Sequence, residues 1–222
     1  MLKRLIITDL TRMGEPRVCI FGVDEEGNAI RPVLPEGISE DYAKENNIGP
    51  FNEIEFDLAP PHRLKAPHLE DWWLNPKHKP KFIRKLSLDE QKDFLEKIKD
   101  NSVKDIFGAE IHESHYVNER EGNRSLGTVE TKDVGSIDYS HKKEGKFNYR
   151  MRFLDDGIHY DLPVTDLLFR NYCDYLRVHE RLEPKIISAD LSYKLSNALV
   201  FLRIVDGRVD FPRNGRELSP PF

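Results

Sequence analysis

Residues 60–82, PPHRLKAPHLEDWWLNPKHKPKF, gather most of the side chains in this chain that could do chemistry: three histidines, paired tryptophans, two carboxylates and a run of lysines, set among five prolines. A flat aromatic ring beside cationic side chains suits single-stranded nucleic acid, because every base offers a face to stack on and each stacked base is worth about 1–3 kcal/mol. Arg63, Lys65 and Lys77 supply charges for phosphates. Trp72 and Trp73 are neighbours, so in an extended chain they point to opposite sides, one inward and one to the surface. The alternative is that both close the ends of a barrel, as large aromatics often do. The prolines would stiffen the segment into an arm that loses little entropy on meeting a ligand.

The same stretch offers an acid–base set. His68 can act as a general base with Glu70 and Asp71 as its carboxylate partners, since proton transfer needs only groups within reach. Metal binding is not expected. His62, His68 and His78, even with His112, Glu113 and His115, lack the ligand spacing of a helix or strand, and prolines break the scaffold. No cofactor fingerprint, nucleophile elbow or P-loop is present, and none is expected.

Three further places carry phosphate-binding chemistry. In Asn123-Arg124-Ser125-Leu126-Gly127-Thr128 the glycines at 122 and 127 allow close backbone approach, while Arg124, Ser125 and Thr128 supply donors; a simple turn is the alternative. Thr8-Asp9-Leu10-Thr11-Arg12 and Thr165-Asp166-Leu167-Leu168-Phe169-Arg170 share a Thr-Asp-Leu core after a strand in each half. That pattern serves a helix cap or turn, and would also put Arg12 and Arg170 at matching rims. Arg31 ends a strand at a rim and is a further candidate.

The elements that must position these residues read as short strands. Leu5–Ile7, Val18–Phe21 and Ala29–Leu34 form a three-strand meander, with Asp24 to Asn28 as a hairpin turn. Glu53–Leu58 alternates strictly and puts Ile54, Phe56 and Leu58 on one face. Ser87 and Glu90 have capping-box spacing for a helix over 87–99, with Leu88, Phe94, Leu95 and Ile98 on its apolar face, interrupted near Asp100 to Ser102. Later come strands at 129–139 (bent near Gly135), 147–154 and 158–164. A helix from Asp166 to about Val178 follows, capped by Thr165, with Leu168, Tyr172, Tyr175 and Leu176 on one face. A short segment near Ile186-Ile187 and a strand at 198–205 end the series.

Strand, strand, strand, helix, strand, strand is the order of an OB-fold, and hairpins with one helix per half exclude a doubly wound parallel sheet. The expected fold is mostly β with a few helices: two OB-like small antiparallel barrels. The first spans 1–110 with the basic arm at 60–85. A linker covers 111–128, the second barrel 129–205, and a polar tail 206–222.

KRLIITDLTRM, RVCIFGVDEEGNAIRPV, PPHRLKAPHLEDWW, GNRSLGTV and YDLPVTDLLFRNYCDYL, in this order, resemble bacterial proteins described as containing a dual OB domain. The resemblance runs from Lys3 to about Ile204. It implies two OB-like barrels and a role in binding nucleic acid or nucleotides, with no catalytic residues to carry over. It also implies a strand-like ending after the LRI segment, which the polar residues 206–222 do not match.

Composition narrows the partners. With 34 basic and 39 acidic residues in 222, a net charge of −5 argues against coating duplex DNA through a global positive field. The excess of seven basic over two acidic residues between Pro60 and Lys85 is local. The mean hydropathy of −0.61 and the lack of a long apolar run exclude a membrane helix. Cys19 and Cys173, far apart, suggest no disulfide framework and a cytoplasmic location. The expected partner is single-stranded nucleic acid or a nucleotide, bound in a cleft between the barrels. An enzyme acting on such ligands, or a module that binds a protein partner or a second copy, is the alternative.

Overall fold

The computed structural model describes residues 1–14, 16–60, 64, 68–112, 118, 121–131, 134–141, 147–179, 200–205 and 208–210. The first half forms strands β1 (Leu2–Arg12), β2 (Arg17–Asp24), β3 (Ala29–Val33), β4 (Ile38–Ser39), β5 (Asn52–Ala59), β6 (Asp71–Leu74) and β7 (Lys81–Lys85), with helices α1 (Glu40–Glu45), α2 (Leu88–Ile98) and α3 (Val103–Phe107). The second contains β8 (Leu126–Thr131), β9 (Val134–His141), β10 (Phe147–Asp155), β11 (Ile158–Val164), helix α4 (Leu167–His179), β12 (Val200–Val205) and β13 (Arg208–Asp210).

The first sheet closes into a five-strand barrel in the order β1-β2-β3-β6-β5 and back to β1, with β7 continuing beside β5. β1 makes closure possible because it is long: Leu2 to Ile6 pair with β5, while Leu5 to Arg12 pair with β2 across an irregularity between Ile7 and Asp9. The strict alternation of β5 buries Ile54, Phe56 and Leu58 among Leu5, Ile7, Ile20 and Ile30. The expected turn is built as read. Asp24 Oδ1 accepts from the amides of Glu26 (3.1 Å) and Asn28 (2.8 Å), and Gly27 takes the left-handed backbone (φ +88°) that a side chain would resist.

The second sheet runs β8-β12-β13-β11-β10-β9 around Val129, Tyr149, Met151, Phe153, Tyr160, Leu162 and Val164. The fold is therefore mostly β and OB-like, as expected, with several local corrections. The segment expected as one bent strand at 129–139 is two strands, β8 and β9, which flank opposite ends of the sheet. Part of the polar tail is a strand: β13 pairs with β12 and runs parallel to β11 through Val164 and Val209. Ile186-Ile187 lies outside the described residues.

The capping box of α2 is present in both directions, Glu90 N to Ser87 Oγ (3.3 Å) and Ser87 N to Glu90 Oε2 (2.7 Å). Its buried side is Gln91 and Leu95, flanked by Phe94 and Ile98, whereas Leu88 in the first turn is 53% exposed. On α4 the residue that caps is Asp166 rather than Thr165, because its carboxylate accepts from the amide of Phe169. Phe169 and Cys173 are the buried positions, with Tyr172 and Tyr175 packed beside them.

The two halves share a seam. The amide of Arg12 donates to Thr165 O (2.9 Å), Thr11 bridges Asp166, and Leu167 at the start of α4 packs into the first barrel's core with Leu10. Thr8 to Arg12 lie within β1 rather than after it, so the repeated Thr-Asp-Leu sequences occupy unlike positions: mid-strand in one half, helix start in the other.

Candidate nucleic-acid interface

The arm is sheet rather than a structureless cover in its described part. Two adjacent β-favouring tryptophans and Leu74 form β6, which Pro76 ends. β6 lies parallel to β3, with Trp72 opposite Pro32 and Trp73 opposite Val33, and antiparallel to β5, with Trp73 opposite Ala59. That placement splits the pair. Trp72 packs against the first barrel's core with Lys3 Nζ 5.2 Å from its ring centroid, whereas Trp73 is 42% exposed.

Beyond β6, Asn75 anchors the chain to β5 through Asp57, donating its amide to the carbonyl (3.0 Å) and Nδ2 to Oδ2 (2.7 Å). The turn closed by His78 N to Asn75 O then delivers β7 to the same edge of β5, with Phe82 opposite Ile54 and Lys81 opposite Glu55. Lys77, Lys79, Lys81 and Lys85 are exposed and make no ion pair among the described residues, and Phe82 is 43% exposed. Arg84 differs, since Glu53 (2.8 Å) and Glu90 (2.5 Å) both hold it. Lys79, Lys81 and Lys85, which the sequence reading counts in the local basic excess without naming them as phosphate contacts, join Lys77 here, and Phe82 is new to the set. The alternation Lys-x-Lys-x-Lys from 77 to 81 was the available signal. Arg63, Lys65 and His62 lie outside the described residues.

Both carboxylates of the acid–base trio are engaged by other groups. Glu70, 6% exposed, accepts the amide of Ser125 on Oε1 (2.6 Å) and the Ser125 hydroxyl on Oε2 (3.1 Å). Burial pushes its carboxyl above the usual range against the pull of those bonds and of Arg31. Asp71 pairs with Arg31 Nε, and His68 is half-buried. Arg31 itself is 9% exposed, inside β3 over the ring of Phe21 rather than at an open rim, because its strand is flanked on both sides.

The 123–128 segment does cradle anions, and they are the protein's own. Besides Ser125 on Glu70, Thr128 N donates to Asp100 Oδ2 (3.1 Å), and Arg124 binds the Asp100 carboxylate and the carbonyls of Ile106 and Asp105. Ser125 and Thr128 are fully buried. Arg124 thus serves the α2–α3 connection and the start of α3.

Arg12 and Arg170 do come near one another at the seam. Arg12 Nη2 donates to Asn171 Oδ1 (2.9 Å), and Arg170 donates to Val164 O (3.0 Å) and Phe147 O (2.7 Å) with its guanidinium 5.3 Å from the Tyr149 ring. Burial first, and then the charge of Arg12, lower the Arg170 pKa. Among the described residues no group of three or more His, Cys, Asp or Glu is placed to hold a metal ion, and no helix is long and apolar enough to cross a membrane. Of the histidine candidates, His112 meets Asn118 (2.9 Å) and Glu121 (3.8 Å), while Glu113 and His115 lie outside the described residues.

The model of the dual OB-containing domain matches residues 3–197. No curated protein matches the chain. Among solved structures, the crystal structure of the tetrameric p202 HIN2 is similar over 77% of this chain and 72% of that one, at 11% identity and a TM-score of 0.30, too low to bear on function.

Proposed function

Because this chain belongs to the dual OB-containing domain family, we propose that it binds single-stranded nucleic acid or a nucleotide along the β6–β7 edge of its first barrel. The observation that carries the reading is Trp73: an indole 42% exposed on a strand of a closed barrel, on the edge that also bears Lys77, Lys79, Lys81 and Lys85. A ring fixed by sheet hydrogen bonds loses little freedom when a base stacks on it, and lysines without carboxylate partners among the described residues are available to phosphates. Arg63 and Lys65, just before β6 in sequence, extend the same positive stretch. Arg12 and Arg170 at the seam are a second candidate pair for phosphate, although Arg170 already donates to the carbonyls of Val164 and Phe147. The protein acts in a reducing compartment, the cytoplasm, which its two cysteines, neither in a disulfide, support.

The test is anisotropy of labelled oligonucleotides over a salt series with tryptophan emission recorded in parallel. The reading expects affinity that falls as salt rises and emission quenched on binding, with both effects reduced in Trp73→Ala. Binding indifferent to salt and to Trp73 would remove it.

A further inference from the structure

Glu70 stands immediately before β6 and three residues before Trp73. We propose that Glu70 is a positioning residue for this surface: its carboxyl group locks β6, and Trp73 with it, onto the start of β8, so the second half of the chain holds the first barrel's binding edge in shape. This rests on the nucleic-acid reading above.

The lock is built from both sides. Glu70 takes two hydrogen bonds from Ser125, through amide and hydroxyl, and its own carbonyl accepts the amide of Arg31 on β3 (2.7 Å). The partner segment is itself pinned, because Asp100 N donates to Thr128 O (2.6 Å) while Thr128 N returns to Asp100. Glu70 and Ser125 are both buried, so water cannot replace the bonds if one partner is removed. An alanine at position 70 would leave the Ser125 amide and hydroxyl unmatched, whereas glutamine keeps the shape and one acceptor oxygen.

The charge that acts on Glu70 is Arg31 from β3, itself paired with Asp71, the next residue along the chain; from the β8 side Ser125 brings neutral donors. Because burial raises the carboxyl above its ordinary 4.5, the locked state binds more protons than the open one. The lock is therefore tightest below that value and loosens as pH rises through the raised one.

The experiment is hydrogen exchange on the full chain, corrected for intrinsic rates across pH, with oligonucleotide affinity measured on the same samples. Glu70→Ala is expected to speed exchange about tenfold at both 71–74 and 125–128 and to weaken oligonucleotide binding. Glu70→Gln is expected to stay near the parent and to lose its pH dependence. Should Glu70→Ala not fold, Ser125→Ala, which keeps the amide donor, is expected to loosen the same two segments to a smaller degree. Unchanged exchange at 71–74, glutamine as damaging as alanine, or faster exchange with unchanged affinity would each overturn the proposal. If the parent protein binds no oligonucleotide, the functional reading fails by itself, while exchange still decides whether Glu70 is the lock.

Discussion

Gly127 and Asp100 meet so closely that a Cβ built on the glycine would stand 2.5 Å from Asp100 Oδ2. The space a ligand phosphate was expected to use at this glycine is occupied by the protein's own carboxylate. The segment has anion-binding chemistry, and the chain turns it into a joint between α2, α3 and β8.

Gly127→Ala should therefore destabilise the protein. The new methyl would also press on the Ile106 side chain at 2.6 and 2.7 Å, and relieving such overlap in a packed core costs roughly 1–3 kcal/mol. Urea unfolding measures it; unchanged stability would show that the surroundings yield freely.

The two tryptophans should separate binding from folding. Trp73→Ala is expected to weaken oligonucleotide binding by about 1–3 kcal/mol while the melting temperature stays put. Trp72→Ala, which removes a ring packed on the core beneath Lys3, should cost stability on the order of 2–4 kcal/mol. Anisotropy and thermal melts on both variants check the pair, and equal effects in the two assays would contradict the assigned roles.

Changing Lys77, Lys79 and Lys81 together to alanine should flatten the salt dependence of binding. For a single strand, every phosphate that a lysine no longer neutralises takes about 0.7 from the slope of log affinity against log salt, so a drop near 2 is expected. A slope that does not move would place the phosphates elsewhere, with the Arg12 and Arg170 pair the next to vary.

Glu90 titrates far below an ordinary glutamate, at about 2, because Arg84 hydrogen-bonds to it and the Ser87 amide adds to the effect. A lowered carboxylate contributes its stability above the unfolded value, 4.5, and loses it as pH falls toward 2. Carboxyl NMR should find the low midpoint, and Arg84→Ala should raise it and bring acid unravelling of α2 to higher pH.

The barrel strands were legible because alternation leaves one consistent answer: Ile54, Phe56 and Leu58 can share only one face. Two helix starts were legible through local chemistry, fully at Ser87 and Glu90 and within one residue at Thr165 and Asp166, whereas the short α1 and α3 were not read. β6 and β7 were not, because four- and five-residue strands among prolines carry too few alternations to show a period. β13 was hidden for a similar reason, since three residues become a strand only when β11 and β12 are already in place.

What the sequence by itself determined is the class of fold, the existence of a basic and aromatic stretch, and the kinds of chemistry its residues offer. Only the tertiary structure decided which groups face outward and which serve the protein itself: Trp73 is exposed while Trp72 packs inward, and Ser125 answers to Glu70 as Arg124 does to Asp100. The reason is physical. Periodicity and caps are set by neighbours a few residues away, whereas the partner of a donor in the joint comes from 55 positions off for the buried Ser125 and 24 for the half-buried Arg124, and only closing the sheets brings it near.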